Sequence, residues 1–123
     1  MVEDSVIYAS LFELTVTRDY AFTFTLARTL KEGLACLQQG QYDCTFLDLH
    51  LPDSIGVDTV KQVRALTSKP IIVITGATIS RDLRQTAEAY GADAVIQKGA
   101  DAETVLTLAE KLIEWKSGMS SLR

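Results

Sequence analysis

"TFLDLHLPDS", Thr45 to Ser54, decides how the chain is read. The run Thr45, Phe46, Leu47 has the pattern of a buried strand, and it ends on a carboxylate, Asp48. Leu49, His50 and Leu51 follow, and then Pro52, which cannot donate to a sheet ladder and stops the strand. Asp53 and Ser54 are residue types that cap a helix. In an open α/β sheet the carboxyl end of a strand opens onto the crevice where ligands bind. Asp48 is therefore a candidate to hold a metal, to attack a substrate, or simply to face water.

Outward from this stretch the alternation is regular. Residues 22–27, "FTFTLA", read as a strand, and "RTLKEGLACLQQG" as a helix with Leu30, Leu34 and Leu37 at helical spacing and Gly40 as its stop. A helix is expected from about Ser54, with Val57, Val60, Val63 and Leu66 on or near one face. "PIIVITGA" is the continuous apolar run of a strand buried on both faces. A helix capped at Ser80 and closed at Gly91 comes next, then a short strand "AVIQKG" ending at Lys98. Asp101 caps a last helix with Val105, Leu108, Leu112 and Trp115 along one side. Strands alternating with helices predict an α/β fold with a doubly wound parallel sheet.

The start admits two readings. Ile7, Leu11 and Leu14 at helical spacing after Asp4, an acceptable N-cap, give a helix from Ser5 to about Thr17, and leave only Met1–Glu3 for a first strand. The competing reading makes "VIYASLF" that strand, with Glu13 to Ala21 barely long enough for a right-handed crossover. The first is preferred. Its consequence is a truncated central strand, a shortage of partners for its neighbours at roughly 1–3 kcal/mol per stranded amide, and a domain of reduced stability or one propped by a neighbour.

Bulk properties bound the function. With 123 residues, 47% hydrophobic and 23% charged, the chain suits one globular domain. A net charge of −4 without a basic cluster argues against direct nucleic-acid binding. Cys36 and Cys44 read as small hydrophobes, not as a disulfide framework or zinc site. No run reaches membrane-spanning length and no signal peptide is visible, so the cytoplasm is the expected location and no membrane partner is expected. The division expected is a domain over residues 1–116, with 117–123 as a polar tail or linker.

Three strand ends, Asp48, Thr75 and Lys98, carry polar residues and converge on one edge of a parallel sheet, joined by Glu3 and Asp4 if a first strand ends there. Carboxylates a few ångströms apart repel by about 4 kcal/mol per pair at an effective dielectric of 20, so such a site wants a cation. All-oxygen donors suit Mg²⁺, and a carboxylate is a competent nucleophile for phosphoryl transfer.

On "VED" (2–4), "FLDLHLPDSIG" (46–56), "ITGA" (74–77) and "YGADAVIQKG" (90–99), in this order and spacing, the chain resembles the receiver domain of two-component response regulators from Val2 to about Trp115. The resemblance implies a flavodoxin-like sheet of strand order 2-1-3-4-5. It makes Asp48 the phosphoacceptor, attacking a phosphohistidine on a histidine kinase or phosphotransfer protein. Mg²⁺ would be held by Glu3, Asp4, Asp48 and the backbone carbonyl of His50; Thr75 would meet a phosphoryl oxygen and Lys98 the phosphorylated carboxylate. It further implies a domain that catalyses its own phosphotransfer and dephosphorylation without being a free-standing enzyme, a downstream protein target, and room for a homodimer. The chain departs from the pattern at Val95, where an aromatic switch residue is expected, and at Gly99, where proline usually follows the lysine; Ala77 leaves the approach to Asp48 open.

Three rivals remain. A phosphatase of the haloacid dehalogenase type would want a second Asp where His50 stands, and a flavin carrier would want a phosphate loop that is missing here. A phosphorylation-independent interaction module on the same fold is the second-ranked reading. The side chain of His50, the only histidine, is expected to face solvent, and Tyr90 and Trp115 to lie in the core or at its rim.

Overall fold

Hydrophobic runs that carry no polar alternation must be covered on both sides, and the strands here are. The computed structural model describes residues 1–20 and 22–121. Its elements are α1 (Val6–Asp19), α2 (Leu30–Gln39), β1 (Thr45–Leu47), β2 (His50–Leu51), β3 (Ser54–Ile55), α3 (Asp58–Arg64), β4 (Ile71–Thr75), α4 (Arg81–Ala89), β5 (Ala94–Gln97) and α5 (Ala102–Ser121). β1, β4 and β5 form a parallel sheet in that order, with Phe46 opposite Ile72 and Val73 opposite Val95. Alternate residues of the strands serve two cores. Leu47, Ile71, Val73 and Val95 pack with Leu30, Val60, Val63 and Ala87 of α2, α3 and α4, while Phe46, Ile72 and Ile74 pack with Phe12 and Val16 of α1 and Val105, Leu106 and Ala109 of α5. No helix among the described residues is long and apolar enough to cross a membrane.

The first strand is reduced to a single residue. Val2 bridges in parallel to Leu47 on one side and to Ala27 on the other. Val2 N–H donates to the Phe46 carbonyl at 2.8 Å and Asp48 N–H to the Val2 carbonyl at 3.0 Å. Glu3 N–H donates to Ala27 at 2.9 Å and Ala27 N–H to Met1 at 2.9 Å. With Ala27 and Val2 counted as second and first strands, the order is the expected 2-1-3-4-5. Met1–Glu3 thus pairs with Phe46 and Asp48 on one side and with Thr25 and Ala27 on the other. The strand expected over 22–27 shrinks to a single bridge at Ala27, with the Thr25 carbonyl accepting from the Met1 amino group at 2.8 Å.

Residues 6–12 are helical, as preferred, but the cap and the face differ from the expectation. Ser5, not Asp4, is the N-cap, its side chain accepting from Tyr8 N–H at 3.3 Å. The stripe Ile7, Leu11 and Leu14 points outward, 78%, 65% and 55% exposed, while Ala9, Phe12 and Val16 are buried. On α5, Leu106 and Ala109 are buried and Trp115 is exposed; the helix itself continues to Ser121 through most of the expected tail, and residues 122–123 of that tail lie outside the described residues.

The helix expected from Ser54 begins at Asp58 because residues 50–55 form a small antiparallel hairpin, His50 opposite Ile55 and Leu51 opposite Ser54. Pro52 and Asp53 make its two-residue turn. Asp53 does cap a helix, but α2: its carboxylate accepts from Leu30 N–H at 2.8 Å and Lys31 N–H at 2.9 Å.

Candidate functional site

Parallel strands end on one edge, and their terminal residues meet there. Asp48 follows β1, Thr75 closes β4, Lys98 follows β5, and Glu3 and Asp4 follow the Val2 bridge. Glu3, Asp4 and Asp48 each place a carboxylate oxygen within 4.8 Å of the others. Lys98 Nζ lies 2.5 Å from Glu3 Oε1 and 3.4 Å from Asp48 Oδ2. The other Asp48 oxygen, Oδ1, accepts from His50 N–H at 3.2 Å. The imidazole of His50 is exposed, as expected.

The charges do not balance. Glu3, Asp48 and Thr75 are buried, Asp4 is half-buried, and one ammonium faces three carboxylates. Burial raises the pKa of Glu3, Lys98 opposes this, and the neighbouring Asp48 adds to it. Burial works to lower the Lys98 pKa, but its hydrogen bonds and the field of Glu3 and Asp48 win, and it lies above the ordinary lysine value. Three converging carboxylates with no nitrogen or sulfur donor are the ligand set of a hard divalent cation, so the residues present fit Mg²⁺.

Above the carboxylates is an open cleft of about 550 Å³ whose lining includes Asp4, Asp48, His50, Thr75, Ala77 and Lys98. Thr75 Oγ1 accepts from Ala77 N–H at 3.2 Å, which leaves its own proton to donate. Lys98 is fixed from behind by its own N–H, which donates to the Thr75 carbonyl at 2.7 Å. Val95 is buried in the core, with Arg84 donating to its carbonyl at 3.1 Å. Gly99 has φ +113°, a conformation closed to proline, so the loop after the lysine is built differently here.

One neighbour of the site was not visible in the sequence. The ring of Tyr8, on the first turn of α1, lies with its centroid 4.9 Å from Lys98 Nζ. Its only local signal was its place one turn beyond Asp4, which marks a residue near the strand edge but not what it touches.

A parallel sheet with helices on both faces, and three carboxylates with one lysine at its carboxyl edge, define an α/β protein whose acidic residues fit a divalent cation. The chain belongs to the response regulator receiver domain family, whose model matches residues 1–110. It is 35% identical over 106 residues to the response regulator ArlR of Staphylococcus epidermidis, covering 86% of this chain and 48% of that protein. It is 32% identical over 98 residues to the regulatory protein VanR of Enterococcus faecium, covering 80% and 42%. The chain thus spans about half the length of these relatives. Among solved structures, a CheY-like receiver domain protein from Methanospirillum hungatei superposes with a TM-score of 0.87 at 21% identity, covering 96% of this chain and 94% of that one. A response regulator protein from Burkholderia pseudomallei with a phosphorylated aspartic acid, calcium ion and citrate superposes with a TM-score of 0.81 at 21% identity, covering 98% and 71%.

Proposed function

We propose that the chain is a working phosphoacceptor: Asp48 takes a phosphoryl group from a phosphohistidine on a histidine kinase or phosphotransfer protein, and the modified domain then engages a downstream protein. The observation that carries this is the convergence of Glu3, Asp4 and Asp48 within 4.8 Å, with Lys98 bridging Glu3 and Asp48. Glu3, Asp4, Asp48 and the His50 backbone carbonyl would hold Mg²⁺. When bound, that ion supplies charge neutralisation for the phosphoryl oxygens.

The remaining steps belong to the chain. An Asp48 oxygen attacks phosphorus, the new O–P bond forms, the N–P bond to the donor imidazole breaks, and that nitrogen takes up a proton. Hydrogen bonding from His50 N–H orients the carboxylate; Lys98 is placed to follow the growing negative charge; the Thr75 hydroxyl has a proton for a phosphoryl oxygen. Ala77 leaves the approach open and admits water for the return step, so the domain is both catalyst and substrate of its own phosphorylation cycle. The match to ArlR over 106 residues is in keeping with a receiver over residues 1–116, acting in the cytoplasm where kinases and their phosphodonors are found.

Incubation with acetyl phosphate and Mg²⁺, followed by intact mass, tests this. One added phosphoryl group is expected for the parent and none for Asp48→Asn. Phosphoryl uptake that survives Asp48→Asn would remove the assignment.

A further inference from the structure

We propose that Tyr8 is a positioning residue for Lys98, its ring forming the wall that keeps the ammonium over the carboxylates. The contact is geometric; its consequence for phosphoryl transfer rests on the function proposed above. An ammonium on a flexible four-carbon stem has three donors and little to fix it. Here one carboxylate takes it closely, Glu3 Oε1 at 2.5 Å, while Asp48 Oδ2 stands off at 3.4 Å, and the side chain is 24% exposed. Two unequal anions and an open side would let the group collapse onto Glu3 or swing out into the cleft. The Tyr8 ring lies beside the ammonium, its centroid 4.9 Å from Nζ, and a cation–π attraction at that distance opposes both movements.

The ring is itself held. Ser5 fixes the start of α1 by accepting from Tyr8 N–H. Behind it the Tyr8 ring stacks on Phe12 with centroids 6.4 Å apart and planes at 27°. Phe12 meets Phe46 edge-on at 4.9 Å, and Phe46 lies on β1 two residues before Asp48, which follows that strand. The wall is thus anchored to the strand that leads to the nucleophile. Burial raises the phenol pKa despite the nearby Lys98, so the ring faces the ammonium as a neutral aromatic. With Val95 in the core, the aromatic beside this lysine comes from α1.

The test compares Tyr8→Phe, which keeps the ring, with Tyr8→Leu, which removes it, in the full chain with ¹³C-labelled lysine. The ε-methylene protons of Lys98, assigned by their loss in Lys98→Met, should show an upfield ring-current displacement in the parent and Tyr8→Phe that disappears in Tyr8→Leu. With acetyl phosphate and Mg²⁺, Tyr8→Leu should lower the limiting phosphorylation rate about fivefold with KM unchanged, and Tyr8→Phe should match the parent. In the Lys98→Met background Tyr8→Leu should change the rate no further. Thermal melts report lost packing against Phe12 separately. An unchanged Lys98 shift in Tyr8→Leu, a Tyr8→Phe as slow as Tyr8→Leu, or an equal slowing without Lys98 would each overturn the proposal. A parent that takes up no phosphoryl group would defeat the proposed function, while the ring-current measurement would still decide where Lys98 sits.

Discussion

The two edges of the sheet hold charge in opposite ways. At the amino edge Arg64 donates to the carbonyl of Gly91 from Nε at 3.1 Å and Nη2 at 2.8 Å, and to those of Thr67 at 2.9 Å and Lys69 at 3.0 Å. Its remaining direction goes to Asp93 Oδ2 at 2.9 Å. The same Asp93 oxygen accepts from Ile71 N–H at 2.8 Å, and Lys116 takes Oδ1 at 3.1 Å. Every charge there is answered by another group of the protein. At the carboxyl edge three carboxylates share one ammonium, and two negative charges are left over. Matched charges tie elements together, whereas an unmatched surplus inside a cleft marks where a ligand of opposite sign belongs.

Breaking the matched cluster should cost the most. Arg64→Ala leaves three carbonyls without this donor and removes one partner of the Asp93 carboxylate, and should lower unfolding free energy by about 2–3 kcal/mol in urea titration, while phosphoryl uptake by the folded protein stays intact. A smaller loss, of at least about 1 kcal/mol, is expected for Gly91→Ala. Gly91 has φ +121°, and an added Cβ would lie 2.8 Å from Arg64 Cγ. Equal damage to phosphoryl uptake from either change would erase the contrast between the edges.

The unmatched cluster should respond to ligand instead. Mg²⁺ at ten times its dissociation constant should raise unfolding free energy by about 1.4 kcal/mol, and Asp4→Asn should abolish that gain. Melts with and without Mg²⁺ decide it. The smallest effect concerns Glu3. Its folded pKa is raised, so ionising it costs more in the folded chain than in the unfolded one. That cost is absent below the ordinary glutamate pKa and complete once pH exceeds the folded value. Glu3→Gln without metal should therefore melt slightly higher than the parent at pH 7, with the gain fading as pH falls toward the ordinary glutamate range. A gain that grows on acidification would mean the sign is wrong.

Much of this was legible in the sequence, for physical reasons. Buried parallel strands need unbroken apolar runs, so any polar residue at their ends stands out, and the pattern alone places Asp48, Thr75 and Lys98 on one edge. What failed was whatever depends on sideways packing. The period of residues 6–17 announced a helix but not its buried side, because Ala9, Phe12 and Val16 have the same spacing logic as Ile7, Leu11 and Leu14. Asp53 was legible as a cap, yet which helix it caps depended on a hairpin that turns it back towards Leu30. The alternation in "FTFTLA" was a fair strand signal, but a ladder needs a partner, and among these residues Met1–Glu3 bonds to Thr25 and Ala27. Tyr8 and Lys98 are joined by tertiary packing alone, which no local spacing encodes.

Val2 is one residue doing the work of a strand, and this makes the acidic cluster conditional. A segment docked by so few bonds opens locally at a fraction of the free energy of global unfolding. When residues 1–3 lift away, Glu3 and Asp4 leave Asp48, and the oxygen cage ceases to exist. Occupancy of the cage and docking of the strand are then a single equilibrium: a cation that binds all three carboxylates must also hold the strand down, and its apparent affinity is reduced by the fraction of undocked chains. Hydrogen exchange would read both at once, since the Val2, Glu3, Ala27 and Asp48 amides are the ones bonded across this segment. Their protection should rise together with bound metal, and in the apo protein they should exchange well before the amides linking β1 to β4.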